Sequence, residues 1–163
     1  MIGLIVAMTK NRVIGLNGQI PWKIKGEQRR FKELTTGNTV IMGRRSYEEI
    51  GKPLPNRDTI VISRTTRYEG EQLKTASSLQ EAISMVKEGD IYVSGGGKLY
   101  EEALTIVDKI HLTVIDMEIE GDTFFPEFKD LAQPGAEAIT IEHLLQMSSG
   151  HMFEDFDRYR CPD

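Results

Sequence analysis

Cysteine is almost absent from this chain of 163 residues, whose only one, Cys161, lies near the C-terminal end. A single cysteine excludes an intrachain disulfide and a metal site built from cysteines. The three histidines, His111, His143 and His151, have no metal-ligand spacing, so we expect no bound metal. The scarcity of cysteine fits a reducing compartment, and we expect a cytoplasmic protein.

Long apolar runs are also missing, since no stretch approaches the roughly 20 residues of a membrane-spanning helix. Residues 1–8 lack the basic region and the cleavage site of a secretory signal, and they are predicted to form a buried strand. A net charge of −5 argues against nonspecific binding to nucleic acid. We therefore expect neither a membrane nor a nucleic acid as partner.

Short apolar runs alternate with helical patterns along the chain. The runs predict strands at 2–8, 39–43, 59–63, 91–94, 109–115 and 151–159. The helical patterns cover 27–36, 46–50, 98–107 and 78–87, the last with Ser77 or Ser78 as its cap. Several runs are apolar on both faces, which is typical of a sheet covered by helices on both sides. The sequence predicts one α/β domain over 1–163, with a largely parallel sheet and some antiparallel pairing among the last strands.

Glu27 occupies an unusual position, because it shares a predicted helical face with Phe31 and Leu34. An ionised acid that is buried without a partner is costly, so this carboxylate either meets a structural donor or is kept for a cationic or amide-like ligand. An ordinary helix start, with Gly26 as N-cap and Glu27 stabilised by the helix dipole, explains the segment equally well.

Cations, hydroxyls and glycines follow three of the predicted strands. They are Arg44, Arg45 and Ser46 after the second strand, Arg64, Thr65 and Thr66 after the third, and Gly95–Lys98 after the fourth. Ligands of open α/β sheets bind beyond the carboxyl ends of the strands, so this grouping predicts an anion site. Glycines let backbone N–H groups approach a phosphate, and several cations suit a dinucleotide with an extra ribose phosphate. A simple turn and arginines that solvate a loop are the alternatives.

Residues for nucleophilic catalysis are not evident. No serine lies in a glycine-framed nucleophile elbow, and Cys161 has no activating partner in the sequence. One candidate acid, a predicted nucleotide site and no nucleophile favour a reaction whose reactive group comes from a cofactor. Hydride transfer is such a reaction.

Several segments, in order along nearly the whole chain, resemble the dihydrofolate reductase family. They are Asn11–Gly15, Pro21–Trp22, Phe31–Lys32, Val40–Arg44, Ile50–Arg57, Ser94–Gly97 and Glu120–Pro126. The resemblance implies a mixed sheet of about eight strands, parallel except for its C-terminal strand, flanked by about four helices. It also implies a cis peptide bond between Gly95 and Gly96 and the reduction of dihydrofolate by NADPH.

The resemblance implies a role for each residue of the substrate site. Glu27 is expected to hold the amino and ring N–H edge of the pteridine, backed by Thr113, and Arg57 to bind the α-carboxylate of the glutamate tail. The full set of implied substrate contacts is Ile5, Val6, Ala7, Glu27, Gln28, Phe31, Ile50, Lys52, Leu54, Arg57, Ser94, Tyr100 and Thr113.

The implied NADPH site lies along the predicted strand ends. Ala7, Ile14 and Tyr100 are expected to border the nicotinamide. The remaining implied contacts to the cofactor are Gly15, Asn17, Gly18, Gln19, Ile20, Gly43, Arg44, Arg45, Ser46, Ile62, Ser63, Arg64, Ser94, Gly95, Gly96, Gly97, Lys98, Leu99 and Thr123.

A lid is also implied by the resemblance. Asn17–Ile20 is expected to close over the site, bridged by the Gly121–Asp122 loop when closed and by the Ser148–Ser149 loop otherwise. Water admitted beside Ile20 and Trp22 is expected to supply the proton for N5, while Glu27 polarises the ring. Lid motion is expected to limit turnover.

Three positions depart from the usual bacterial pattern. Glu27 stands where most bacterial relatives have aspartate, although animal enzymes have glutamate. Gln28 replaces an apolar pocket residue, and Ser94 replaces a common aliphatic one. The Lys25–Gln28 and Val93–Gly97 strings are similar to trimethoprim-insensitive reductases on mobile elements. An ordinary drug-sensitive housekeeping enzyme is the alternative.

Two other functions stay open on the sequence. One is a pterin or pyrimidine reductase on the same scaffold, such as the reductase of riboflavin synthesis, although Arg57 favours a substrate with a glutamate tail. The other is a nucleotide-binding regulatory module without catalysis. We expect a monomer, because no exposed apolar stripe is evident, and antifolate inhibitors as further small-molecule partners.

Overall fold

A main sheet of eight strands organises the chain in the computed structural model, which describes residues 1–22, 27–115, 117–126, 140–148 and 151–154. Its strands are β1 (Ile2–Thr9), β3 (Thr39–Gly43), β4 (Asp58–Ile62), β5 (Leu73–Ala76), β6 (Ile91–Val93), β7 (Lys109–Ile115), β9 (Thr140–Ser148) and β10 (His151–Glu154). Two more, β2 (Val13–Gly15) and β8 (Thr123–Phe124), form a separate antiparallel pair.

The order of the main sheet is β10-β9-β7-β1-β6-β3-β4-β5. Every neighbouring pair is parallel except β9 and β10, which run antiparallel. The mostly parallel sheet predicted from the sequence is therefore confirmed.

Some of the predictions fall outside the described residues. They concern the cap Gly26, the bridging residue Ser149, the 155–159 part of the last predicted strand, and Cys161.

Within the described residues, four helices accompany the sheet, as expected: α1 (Glu27–Thr35), α2 (Arg44–Ile50), α3 (Leu79–Ser84) and α4 (Gly97–Ala103). Ser78 caps α3, because its hydroxyl accepts the backbone N–H of Glu81 at 3.1 Å. Two predicted bounds were wrong by several residues. Helix α3 ends before 87 and α4 before 107, since bonds to the third preceding carbonyl, such as Val86 N–H to Ile83 and Ile106 N–H to Ala103, replace a continued helix.

Helices cover both faces of the sheet, which explains why its central strands are apolar on both sides. Side chains alternate along a strand, so Ile41 packs with residues of α3 and α4, whereas Val40 and Met42 pack with Tyr47 of α2 and Phe31 of α1. On β1 the same rule sends Leu4, Val6 and Met8 to the side of α3 and α4. Ile5 and Ala7 consequently face the side of α1 and α2.

Candidate active site

The carboxyl ends of β6, β3 and β4 meet, because these strands are neighbours in the sheet. Gly43 N–H, at the end of β3, donates to Gly95 O beyond β6 at 2.8 Å. A Cβ added to Gly95 would lie 3.3 Å from Ser46 Oγ, and one added to Gly43 3.6 Å from Gly95 O. The backbone segments are thus close enough to form a cradle that side chains would fill. The Gly95–Gly96 bond is cis, as the resemblance implies.

The cations of this edge have different surroundings. Arg44 is half-buried, and its Nη1 donates to Thr65 Oγ1 at 3.2 Å, while Arg45, Arg64 and Lys98 are exposed. Helix α2 begins at Arg44, two residues earlier than predicted, because Gly43 ends β3 in an extended conformation and serves directly as the N-cap. Arg44 and Arg45 are therefore helical residues rather than loop residues, which weakens the alternative of a solvating loop.

The loop after β4 supplies hydroxyl and backbone groups to the same edge. Ser63 Oγ accepts the N–H groups of Thr66 at 3.0 Å and of Thr65 at 3.4 Å, which fixes the turn that carries Arg64. Ile62 is partly buried against the core below it. With Arg44 and Arg45 across from this loop, positive charge gathers at one edge of a protein that is acidic overall.

A second group of predicted residues lies on the sheet face covered by α1. Ala7 on β1 pairs with Thr113 on β7, so the buried Thr113 hydroxyl side chain lies on the same face as Ile5 and Ala7. Glu27 is the first residue of α1, one helical turn before Phe31, whose ring packs toward this face. The structure thus places Ile5, Ala7, Thr113 and Phe31 on one face of the sheet, next to the glycine run beyond β6.

Two residues of the predicted contact set have side chains on the opposite side of the sheet. The Val6 and Leu99 side chains belong to the core cluster on the opposite side of the sheet, with α3 and α4, so only their backbone atoms are available to a ligand. Arg30 of α1 is half-buried, and its Nη1 and Nη2 are shielded from solvent. Tyr100 is buried as well, and its hydroxyl donates to Ile5 O at 2.8 Å, which ties α4 to β1 beneath the site.

Arg57 lies at the other end of α1 in a rigid setting. Its Nε donates to Pro55 O at 2.9 Å and its Nη1 to Thr35 Oγ1 at 3.0 Å, while Cζ lies 5.8 Å from the centre of the Phe31 ring. Only 4% of Arg57 is exposed, and burial lowers the pKa of its guanidinium. Among the described residues none accepts a hydrogen bond from Nη2, so this nitrogen can serve a ligand.

Other predicted substrate contacts surround these groups at different depths. Leu54 and Phe31 pack against the core cluster of α2, and Ser94 is half-buried. Gln28, Ile50 and Lys52 are exposed on the outer side. The apolar side chains of Phe31 and Leu54 therefore lie between the start of α1 and Arg57.

The predicted lid, Asn17–Ile20, is a tight hairpin turn. Leu16 and Gln19 exchange backbone hydrogen bonds at 2.9 and 3.1 Å, and Asn17 and Gly18 adopt φ values of 53° and 77°, as a two-residue turn with an Asn-Gly pair requires. The predicted bridge to the Asp122 loop is present, since Asn17 N–H donates to Asp122 Oδ2 at 2.9 Å. Ile20 is exposed and Trp22 half-buried at the end of the lid.

Packing below the lid is close. Gly97 approaches Thr123 and Ile14, since a Cβ on Gly97 would lie 3.0 Å from Thr123 Cγ2 and 4.0 Å from Ile14 Cδ1. A Cβ on Gly121 would overlap Val13 Cγ1 and lie 2.9 Å from Gly15 O, so no larger residue fits there without movement. The Gly121–Asp122 loop is therefore held against the strand that leads into the lid.

Glu49 is a contact that the sequence did not reveal. Its Oε1 accepts the backbone N–H of Ile20 at 2.9 Å, which joins α2 to the end of the lid. The two residues are 29 positions apart and follow no motif, so only the folded arrangement brings them together. Asp122 and Glu49 thus hold the lid at its two ends.

Removal of the Asp122 carboxylate is expected to loosen the lid. Its pKa is lowered by the backbone hydrogen bond from Asn17 and by the Thr123 hydroxyl. A lowered pKa means that the contact contributes above the ordinary value of 3.8 and is lost only as the pH falls through the lower folded value. At neutral pH we expect Asp122→Ala to speed hydrogen exchange at the Asn17 amide by about tenfold, the scale of one charge-assisted hydrogen bond.

Glu120→Ala provides the matched control, because Glu120 is an exposed acid of the same loop. Unchanged exchange at Asn17 in the Asp122→Ala protein would show that this carboxylate does not hold the lid.

The described part of the chain contains no helix long and apolar enough to cross a membrane. Within the same residues, no group of three or more histidine, cysteine, aspartate or glutamate side chains is placed to hold a metal ion.

Comparisons with known proteins agree on one family. A family model described as dihydrofolate reductase matches residues 1–145. The chain is 37% identical over 162 residues to dihydrofolate reductase type 3 of Salmonella typhimurium, covering 99% of this chain and 94% of that protein. It is 45% identical over 125 residues to dihydrofolate reductase of Haemophilus influenzae, covering 76% of this chain and 78% of that protein.

A solved structure is similar as well. It is a dihydrofolate reductase from Enterococcus faecalis complexed with NADP(H) and RAB-propyl, with a TM-score of 0.71 and 37% sequence identity. The similarity covers 78% of this chain and 77% of that one.

Proposed function

Because this chain belongs to the dihydrofolate reductase family and is an NADP-dependent oxidoreductase that uses NADPH, we propose that it reduces 7,8-dihydrofolate to 5,6,7,8-tetrahydrofolate. When bound, NADPH supplies from nicotinamide C4 the hydride that C6 of the pterin receives, and a proton goes to N5. The observation that carries the proposal is the shared face of Ile5, Ala7, Thr113 and α1, which adjoins the cation-rich strand ends.

The strand ends fit NADPH in shape and charge. The close approach of Gly43, Gly95 and Ser46 leaves backbone where a phosphate needs room, and Arg44, Arg45 and Arg64 supply cations. Strand order sets the direction of the cofactor. With the strands in the order β1-β6-β3-β4, Ala7, Ile14 and Tyr100 would border the nicotinamide, the glycines beyond β6 would hold the pyrophosphate, and the residues that follow β3 and β4 would hold the adenosine end.

The substrate side uses α1 and the loop after α2. Glu27 binds the amino and ring N–H edge of the pterin, with Thr113 behind it, so the ring is oriented with C6 toward Ala7. Phe31, Ile50 and Leu54 line the benzoyl group. The fixed guanidinium of Arg57 binds the α-carboxylate of the glutamate tail.

No described side chain is required to touch N5. Glu27 polarises the ring from its far edge, and water beside Ile20 and Trp22 donates the proton. The Asn17–Ile20 lid, held by Asp122 and Glu49, excludes bulk water during hydride transfer and opens for product release. We place this enzyme in the cytoplasm as a monomer built as one domain over 1–163.

The loss of NADPH absorbance on addition of dihydrofolate tests the proposed function. We expect turnover that depends on dihydrofolate and yields tetrahydrofolate. Turnover with the aminopyrimidine substrate of riboflavin synthesis instead would identify the other reductase on this scaffold. Binding of NADPH without oxidation by either substrate would identify a regulatory module.

Weak inhibition by trimethoprim is a further part of the proposal. A diaminopyrimidine binds as a cation against the acid, and the longer side chain of Glu27, with polar Gln28 and Ser94 nearby, displaces that pairing. We expect Glu27→Asp to lower the trimethoprim inhibition constant by at least tenfold, which corresponds to about 1.4 kcal/mol, within the range of a charge-assisted hydrogen bond.

Glu33→Asp is the control, since Glu33 is exposed on the same helix and pairs with Arg29. Low-nanomolar inhibition of the unmodified enzyme would instead identify an ordinary drug-sensitive housekeeping reductase.

A further inference from the structure

Arg44 is held from two sides by residues outside the expected cofactor contacts. Its Nη1 donates to Thr65 Oγ1 at 3.2 Å, and its Nε lies 3.9 Å from Glu48 Oε1, one helical turn along α2. The same Glu48 oxygen accepts the Tyr68 hydroxyl at 2.6 Å. Arg44, Glu48 and Tyr68 therefore form a connected chain of polar groups between α2 and the loop that follows β4.

Tyr68 is a firm support for this chain. Its ring packs edge-on against the buried Tyr47, with centroids 4.9 Å apart and planes at 63°. Its backbone N–H donates to Thr75 Oγ1 at 2.7 Å, and the Thr75 hydroxyl donates back to Tyr68 O at 2.6 Å. The hydrogen bond to Glu48 also raises the pKa of the Tyr68 phenol, which favours the protonated hydroxyl that donates in this bond. The position of the hydroxyl is thus set by β5 and by the core.

Stability alone does not account for these contacts. Arg44 and Glu48 are 40% and 51% exposed, and an ion pair between such groups contributes little to the free energy of unfolding. The ion pair instead fixes the orientation of the Arg44 side chain. A guanidinium held by fixed partners loses less conformational entropy when it binds a phosphate. The Arg44 side chain would otherwise have many rotamers on the surface of α2.

The strand order indicates which phosphate Arg44 serves. In the proposed function the nicotinamide end would lie at β1, and the pyrophosphate would lie where Gly43 and Gly95 meet at the ends of β3 and β6, so the rest of the cofactor would continue toward β4. Arg44 points to Thr65 beyond β4, on the side farther from the glycines. The group that would meet it there is the adenosine ribose, whose 2′-phosphate distinguishes NADPH from NADH.

We propose that Glu48 and Tyr68 are positioning residues that hold Arg44 for the 2′-phosphate and thereby set the preference for NADPH over NADH. The inference rests on the proposed function, in which NADPH lies across these strand ends. It assigns to this chain a determinant of cofactor specificity formed by residues that do not touch the cofactor themselves.

Tyr68→Phe tests the inference most cleanly, because it removes the hydroxyl and keeps the ring against Tyr47. Calorimetric titration with adenosine 2′,5′-bisphosphate and adenosine 5′-monophosphate measures the contribution of the 2′-phosphate without turnover. We expect the dissociation constant of the bisphosphate to rise by about tenfold in Tyr68→Phe and in Glu48→Gln, and that of the monophosphate to stay constant. In turnover, the KM for NADPH rises by the same factor, while kcat and the KM for dihydrofolate are unchanged.

Glu69→Gln is the matched control, since Glu69 lies in the same loop and pairs only with Arg67 among the described residues. Equal weakening of both nucleotides in Tyr68→Phe would mean that Tyr68 merely maintains the loop, and this would overturn the inference. Unchanged binding of both nucleotides would overturn it as well.

Arg44→Gln separates this inference from the proposed function. If Arg44→Gln loses the 2′-phosphate preference and Tyr68→Phe does not, the positioning role is wrong and the cofactor site stands. If Arg44→Gln keeps the preference, Arg44 does not read the 2′-phosphate, and the inference fails together with that part of the site. In the double variant we expect no further loss beyond Arg44→Gln, because both changes act on one interaction.

Discussion

Replacement of Glu27 by alanine is expected to lower kcat/KM for dihydrofolate by about 10³-fold at neutral pH. The loss combines the orientation of the pterin by charge-assisted hydrogen bonds with polarisation of the ring toward protonation at N5, and acid–base contributions alone reach about 10²–10⁴-fold. Stopped-flow measurement of NADPH oxidation gives the rate of the chemical step. Binding of NADPH itself should not change, because the proposed cofactor site lies across the strand ends rather than at the start of α1.

Two variants of the same helix sharpen this expectation. Glu27→Asp should retain most of the rate, since it keeps a carboxylate at this position. Glu33→Ala should behave as the unmodified enzyme, because Glu33 is exposed and, among the described residues, its side chain forms an ion pair only with Arg29. If the Glu27→Ala enzyme kept its rate of hydride transfer, Glu27 would be an ordinary acid of the first helical turn and would have no catalytic role.

Replacement of Arg57 by lysine is expected to raise the KM for dihydrofolate by about 100-fold with little change in kcat. Lysine keeps the charge but cannot form the two parallel bonds of a guanidinium with a carboxylate, and loss of such a pair costs about 2–3 kcal/mol. The same change also removes donors to Thr35 and Pro55, so the melting temperature should fall. Steady-state kinetics at saturating NADPH measure both constants.

A dihydropterin substrate without the glutamate tail distinguishes the role of Arg57 in binding the tail from its role in supporting the fold. Its KM should be the same in the unmodified enzyme and in Arg57→Lys, because neither enzyme can use the tail contact. Arg29→Lys serves as a control at an exposed position of α1. An equal rise of KM for the substrates with and without the tail would show that Arg57 supports the fold and does not bind the carboxylate.

The central strands could be predicted closely because burial on both faces leaves a simple apolar pattern. The predicted bounds 39–43 and 109–115 coincide with Thr39–Gly43 and Lys109–Ile115. β2, with three residues, and β8, with two, are too short to show a period. β5 (Leu73–Ala76) is an edge strand of four residues with a mixed pattern of burial.

In the candidate site, features that depend on local sequence could be predicted, whereas contacts between distant residues could not. Cations after neighbouring strands were readable because parallel strands end at one edge, and the order β6-β3-β4 brings them together. The Val6 and Leu99 side chains face the core because α3 and α4 pack on that side of the sheet. No local sequence pattern indicates on which side these helices pack. The contacts of Glu49 with Ile20 and of Tyr68 with Glu48 join residues 29 and 20 positions apart, so they appear only in the folded chain.

Isotope transfer tests direct reduction of the pterin most decisively. The enzyme is supplied with dihydrofolate and with NADPH that carries deuterium in place of both hydrogens at nicotinamide C4, and the tetrahydrofolate formed is analysed by mass spectrometry and NMR. One deuterium at C6 and none at N5 after exchange into ordinary water is the expected result. Tetrahydrofolate without deuterium at C6, or NADPH that is bound but not oxidised, would contradict hydride transfer between the two ligands at this site.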